Sequence, residues 1–105
     1  MPVNNFLDRE IDVNEEGFLT DPAQWDRELA EALAPIAGLG QLTEEHWAVL
    51  EFARESQAQT GQSPTLRRLA AGGGFVMADL FRLFPGKPAK KIAYIAGLPK
   101  PVGCV

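Results

Sequence analysis

The chain has 105 residues and a formal net charge of −4, with 46% hydrophobic and 23% charged residues. That is the size of one small domain with a thin core. No apolar run nears the roughly 20 residues of a bilayer span, the N-terminus lacks the basic-then-apolar layout of a secretory signal, and a single cysteine excludes an internal disulfide, so a cytoplasmic setting is expected.

In chain order, residues 1–10 are expected to be loosely ordered. Ile11 and Val13 then alternate, a turn is expected at Asn14–Gly17, and Phe18 follows, which predicts a short β-hairpin. Asp21-Pro22 reads as a helix N-cap with proline at the first helical position. Trp25, Leu29, Leu33 and Ile36 recur every three or four residues, the stripe of an amphipathic helix that Gly38 and Gly40 end. Thr43 caps a second helix, with Glu44 and Glu45 in its first turn, where the helix dipole favours acids. Trp47, Val49, Leu50, Phe52 and Ala53 form its inner face, and Gly61 stops it.

Ser63-Pro64 repeats the cap-plus-proline start and predicts a short third helix with Leu66, Leu69 and Ala70 inward. Gly72-Gly73-Gly74 is expected to break it. Met77, Leu80, Phe81 and Phe84 predict a fourth helix ended by Pro85. Pro88 opens a fifth, with Ala89, Ile92, Ala93 and Ala96 on one face and Gly97 as its stop. Pro99 and Pro101 fix φ, remove two backbone donors and push Leu98 and Lys100 toward extended geometry. The expected fold is therefore mainly α: about five helices and an N-terminal hairpin over residues 1–97, and a mobile C-terminal arm over residues 98–105.

The charges divide unevenly. Residues 1–60 hold 13 acids and 3 bases, whereas residues 61–105 hold one acid, Asp79, and 7 bases. A basic half can face an acidic partner or phosphates, or pair with the acidic half inside the fold. Lys87, Lys90, Lys91 and Lys100 sit on the fifth helix and arm. Nearby cations favour a thiolate or persulfide anion. Arg67 and Arg68 lie early on the short third helix. They suit either a solvated basic face or the recognition helix of a helix-turn-helix.

The only thiol, Cys104, is the next-to-last residue. Free cysteines are usually buried and inert, but one beside the terminal carboxylate is hard to bury. An accessible thiol is a nucleophile and leaving group for sulfur exchange. On an arm it can visit another protein's pocket as a carrier, or it can be an incidental surface thiol. One cysteine and one histidine do not make a metal site. His46 reads as a partly buried structural histidine. The triple glycine lacks the Lys-Ser/Thr of a phosphate loop.

The segment LFPGKPAKKIAYIAGLPKPVGCV resembles the C-terminal signature of the DsrC/TusE family of sulfur-transfer proteins. Leu83-Phe84-Pro85, Pro88, Lys90, Ile95 through Pro101 and Cys104 carry the likeness. DVNEEGFLTDPAQW at 12–25, EEHWAVLEFAR at 44–54 and SPTLRRL at 63–69 extend it over nearly the whole chain. The resemblance implies a small helical protein whose penultimate cysteine, here Cys104, bears sulfur. In the DsrC branch a second upstream cysteine allows a trisulfide; that position is Ala93 here. A single cysteine resembles the TusE branch instead. By that likeness the protein is a sulfurtransferase-type carrier rather than a stand-alone enzyme. It would take persulfide sulfur from a TusBCD- or DsrEFH-like complex and pass it to a tRNA 2-thiouridylase for wobble-uridine modification. The alternative is a single-cysteine DsrC-like protein of dissimilatory sulfur metabolism, sulfite-reductase-associated or regulatory and DNA-binding. The relay itself needs no cofactor, membrane or direct nucleic-acid contact, and a monomer that visits partners is expected.

Overall fold

The computed structural model describes residues 3–101. The chain folds as a two-stranded hairpin, β1 (Val3–Phe6) and β2 (Arg9–Asp12), followed by α1 (Arg27–Ile36), α2 (Glu44–Thr60), α3 (Leu66–Gly73), α4 (Met77–Leu83) and α5 (Pro88–Ile95). The mainly helical class is as expected, but the hairpin lies earlier than the alternation at Ile11 and Val13 suggested. Its strands pair Val3 with Asp12 through Phe6 with Arg9, leaving Leu7 and Asp8 as a two-residue loop. Both loop residues have positive φ, 54° and 61°, as tight hairpins whose turn follows the strand twist require. Asn-Gly or Asp-Gly usually marks such a turn, so Leu-Asp gave no signal. The turn at Asn14–Gly17 also forms. Asn14 Oδ1 accepts from the backbone N–H of Glu16 and Phe18, and only one bridge, Val13 to Leu19, continues the pairing.

Asp21 does cap a helical turn, through its side chain and Ala23 N–H, but the turn is a three-residue 3₁₀ segment, Pro22–Gln24. The helix proper starts after Asp26, whose Oδ1 accepts from Leu29 N–H at 2.9 Å. Asp26 also receives both guanidinium nitrogens of Arg9, at 3.0 and 3.2 Å. Asp12 and Gln24 exchange two further hydrogen bonds. The hairpin is thereby fixed to the start of α1.

Three further expectations need correction. The third helix is capped by Thr65, not by Ser63. Two of the three glycines are helical, and only Gly74, at φ 74°, stops α3. Gly73 stays a glycine for space: a Cβ there would stand 2.7 Å from the Phe75 ring. On α4 the inward residues are Leu80, Leu83 and Phe84, while Met77 and Phe81 are exposed. The three inward residues face the neighbours that α4 packs against, α3 and α5.

Leu29, Leu33, Val49, Leu50, Ala53, Leu69, Leu80, Phe84, Ile92 and Ile95 are fully buried. Trp25 and Tyr94 bridge two core clusters, one under the hairpin and one among the helices. Ser56 is buried on α2, and Arg68 Nε donates to its hydroxyl at 3.4 Å. Among the described residues no helix is long and apolar enough to cross a membrane.

Candidate functional site

Cys104 lies outside the described residues, so the site is built from what leads to it. The chain leaves α5 under restraint at nearly every residue. Trp25 Nε1–H donates to Ile95 O at 2.7 Å. Arg54 donates to Ala96 O at 2.8 Å and to Pro22 O at 3.0 Å, with its guanidinium 4.3 Å over the Trp25 ring. The last carbonyls of a helix have no partner within it, and two side chains supply partners here. Arg54 has no carboxylate partner among the described residues, and burial pulls its pKa down. A cation at a helix C-terminus is nonetheless favoured by the dipole.

Gly97 follows with φ 72°, and Leu98 N–H closes the turn on Ala93 O at 2.9 Å. Leu98 is fully buried. Ser63, read from sequence as a cap, donates instead to Pro99 O. Lys100 Nζ pairs with Glu16 Oε1 at 2.9 Å, and Pro101 is buried. The arm expected over residues 98–105 is thus seated on the body through its first four. Four further residues span at most roughly 14 Å, against about 25 Å for an arm free from Leu98 onward.

Beside this seat lies an open groove of about 450 Å³, with Phe18, Ile36 and Tyr94 on its apolar side and Lys87, Lys90 and Lys91 along it. Glu16 stands at its edge, so Lys100 reaches the same groove. The hydrogen bond from Lys100 holds the Glu16 carboxyl below the ordinary range, and Lys90 adds a smaller pull in that direction. Phe18 meets Tyr94 edge-on at 5.7 Å, and burial raises the pKa of the Tyr94 hydroxyl. Ile36, expected in the core, is 61% exposed on this wall. The α1 stripe drifts out of the core over its last turn, which contains Pro35.

The structure therefore brings together Lys90, Lys91, Lys100 and Lys87, but not Arg67 and Arg68. Both arginines are exposed on α3, and Arg68 lines a separate depression with Ser63 and Thr65. Sequence reasoning missed Trp25, Arg54 and Ser63 as supports of the arm. Only the tight spacing of Gly97 before two prolines hinted that the root is fixed. His46 is structural: Nδ1 accepts from Thr43 N–H at 3.0 Å, and Nε2–H donates to Leu83 O at 3.0 Å. Ala93, where a two-cysteine relative would carry its second thiol, is buried in the core. No cluster of His, Cys, Asp and Glu suited to a metal is present among the described residues.

Comparison with known proteins gives one consistent result. The family model described as "DsrC like protein" matches residues 5–105. Sulfurtransferase TusE of Salmonella typhimurium is 39% identical over 107 residues, covering 95% of this chain and 97% of the relative. The Escherichia coli protein of the same name is 37% identical over the same span. Among solved structures, the oxidized gamma-subunit of the dissimilatory sulfite reductase (DsrC) from Archaeoglobus fulgidus superposes with TM-score 0.75 at 35% identity, over 99% of this chain and 100% of that one. DsrC of Allochromatium vinosum gives TM-score 0.79 at 33% identity, over 98% and 97%.

Proposed function

The chain belongs to the DsrC-like protein family, and from that premise we propose that it is a cytoplasmic sulfur carrier that loads persulfide sulfur on Cys104 and relays it between proteins. The observation that carries this reading is the family match itself, which runs through residue 105 and so includes the penultimate cysteine.

The chemistry is two sulfur exchanges in series. The Cys104 thiolate attacks the outer sulfur of a donor persulfide, the donor's thiolate leaves, and Cys104 becomes the persulfide. An acceptor thiolate then attacks that outer sulfur, and the Cys104 thiolate leaves. One sulfane sulfur moves and no net electrons are exchanged, so neither step calls for a cofactor. The ammonium groups of Lys90, Lys91 and Lys100 near the arm's root favour the anionic thiolate and persulfide.

The relatives named sulfurtransferase TusE favour tRNA wobble 2-thiouridine synthesis as the pathway, with a TusBCD-like donor and a 2-thiouridylase-like acceptor. The single thiol agrees with this reading, since with Ala93 in place of a second cysteine no intramolecular trisulfide forms. The sulfite-reductase pathway is the second reading, favoured by the likeness to the gamma-subunit structures. Arg67 and Arg68 would serve it as contacts to DNA or to an acidic partner.

The test is mass spectrometry of the intact chain after incubation with a persulfide donor. One added sulfur is expected, absent in Cys104→Ser. Equal loading of the variant rejects the carrier. Native pull-down from the source cell, with the bound proteins identified, separates the two pathways.

A further inference from the structure

We propose that the groove between α1 and α5 is the docking site for an acidic segment of a partner protein, one that carries an aliphatic or aromatic anchor beside its carboxylates. The inference deepens the carrier reading, because it names the chemistry by which the partner that exchanges sulfur with Cys104 is held.

Two properties meet in this groove. Lys87, Lys90 and Lys91 line it, and the ammonium group of none makes a hydrogen bond or an ion pair with any described residue. Elsewhere on the surface Arg9, Arg27 and Arg82 each pair with a nearby acid, Asp26, Glu51 and Glu45. A protein with 14 acids and 10 bases thus leaves three ammonium groups along one groove with no carboxylate in ion-pair distance among the described residues. Among the described residues the groove's one acid, Glu16, is already held by Lys100.

The second property is the apolar side. Ile36 is 61% exposed there, beside Ala37, Phe18 and Tyr94. A groove of about 450 Å³ holds a few side chains, not a whole helix. Apolar floor and cationic rim together select a short peptide with both features. A purely acidic ligand leaves Ile36 in water, and a purely apolar one leaves the charges unanswered. The position fits the carrier's task. Lys100 ties the arm to the groove's edge, so a partner docked here meets the thiol within the reach of residues 102–105.

The experiment is a selection of random 12-residue peptides displayed on phage against the full-length Cys104→Ser protein, followed by affinity measurements on the enriched peptides. Enriched peptides are expected to carry two or more acids next to an aliphatic or aromatic residue. Their affinity is expected to fall about tenfold in Lys90→Glu/Lys91→Glu and with added salt. It is also expected to fall several-fold in Ile36→Ser, an exposed change that leaves the fold intact. Enrichment without acids, acids without an apolar preference, or affinity indifferent to these variants overturns the proposal. A nitroxide on Cys104 of the wild-type chain that broadens the Ile36 and Tyr94 signals, with no peptide enriched, assigns the groove to the chain's own tail and equally overturns it. Loading of Cys104 by glutathione persulfide needs no docked protein and is expected to be unchanged in Ile36→Ser made on the chain that keeps Cys104. Its failure in the wild type would strike the carrier reading, and loss of peptide binding alone strikes only the docking site.

Discussion

Gly97 sits so close to Trp25 that a Cβ at position 97 would stand 2.6 Å from the indole Cδ1. The same residue has φ 72°, a conformation that side chains other than glycine rarely adopt. Two independent causes therefore demand glycine at the point where the arm leaves the body. Gly97→Ala is expected to destabilise the fold by about 2–4 kcal/mol, the sum of backbone strain and overpacking. Urea unfolding monitored by tryptophan fluorescence measures it. A change below about 0.5 kcal/mol would show that the root relaxes freely.

Arg54 also packs on Trp25, with its guanidinium 4.3 Å from the ring centroid. Its two hydrogen bonds go to neutral carbonyls of different segments, Ala96 and Pro22. Arg54→Met keeps much of the stem but strands both carbonyls, at about 2–4 kcal/mol. Arg54→Lys is expected to recover only part of this, because an ammonium cannot stack on the ring and fork to both oxygens. Thermal melts of the two variants check the order. Full rescue by lysine would mean that charge alone matters at this helix end.

The tie between Lys100 and Glu16 is expected to weaken in acid. The folded carboxyl titrates below its ordinary range, chiefly because of the hydrogen bond from Lys100. A depressed carboxyl contributes above its unfolded pKa, and that contribution is lost as pH falls through the folded value. The loss therefore belongs below the ordinary carboxylate range, near pH 4 and lower. Since Cys104 is the only cysteine, a nitroxide placed there reports on the arm without further mutation. Its spectrum should sharpen as pH falls, and Glu16→Gln should show the sharpened spectrum at neutral pH. A label indifferent to both changes would mean that the other contacts of residues 98–101 suffice.

His46 ties the start of α2 to the end of α4. His46→Ala removes the acceptor for Thr43 N–H and the donor to Leu83 O, and is expected to cost about 1–2 kcal/mol. Sulfur loading of Cys104, measured on the folded protein, should be unchanged. A loss of loading without a loss of stability would give the imidazole a chemical role.

The legible part of the fold was its local punctuation. Thr43, Gly61, Pro88 and Gly97 start or stop helices in the structure where their backbone chemistry says they should. The terminal signature, with Cys104 at its end, named the family before any tertiary contact was known, because a motif that specific is carried by residue order alone. What failed was local wherever the signal was shared between neighbours. Asp21 and Asp26 can both cap, Ser63 and Thr65 likewise, and contacts far along the chain entered into the choice. Asp26 also binds Arg9, and Ser63 is taken by Pro99.

By itself, then, the sequence determined the helical class and most helix ends and singled out Cys104 as the candidate sulfur-bearing position, since each depends on the backbone preferences or order of a few adjacent residues. Tertiary structure alone decided that the arm is seated as far as Pro101 and that three lysines share a groove with Ile36. Those facts join Glu16 to Lys100, Trp25 to Ile95 and Ser63 to Pro99. Such pairs are brought together only by the packing of α1, α2 and α5, and no local pattern records them.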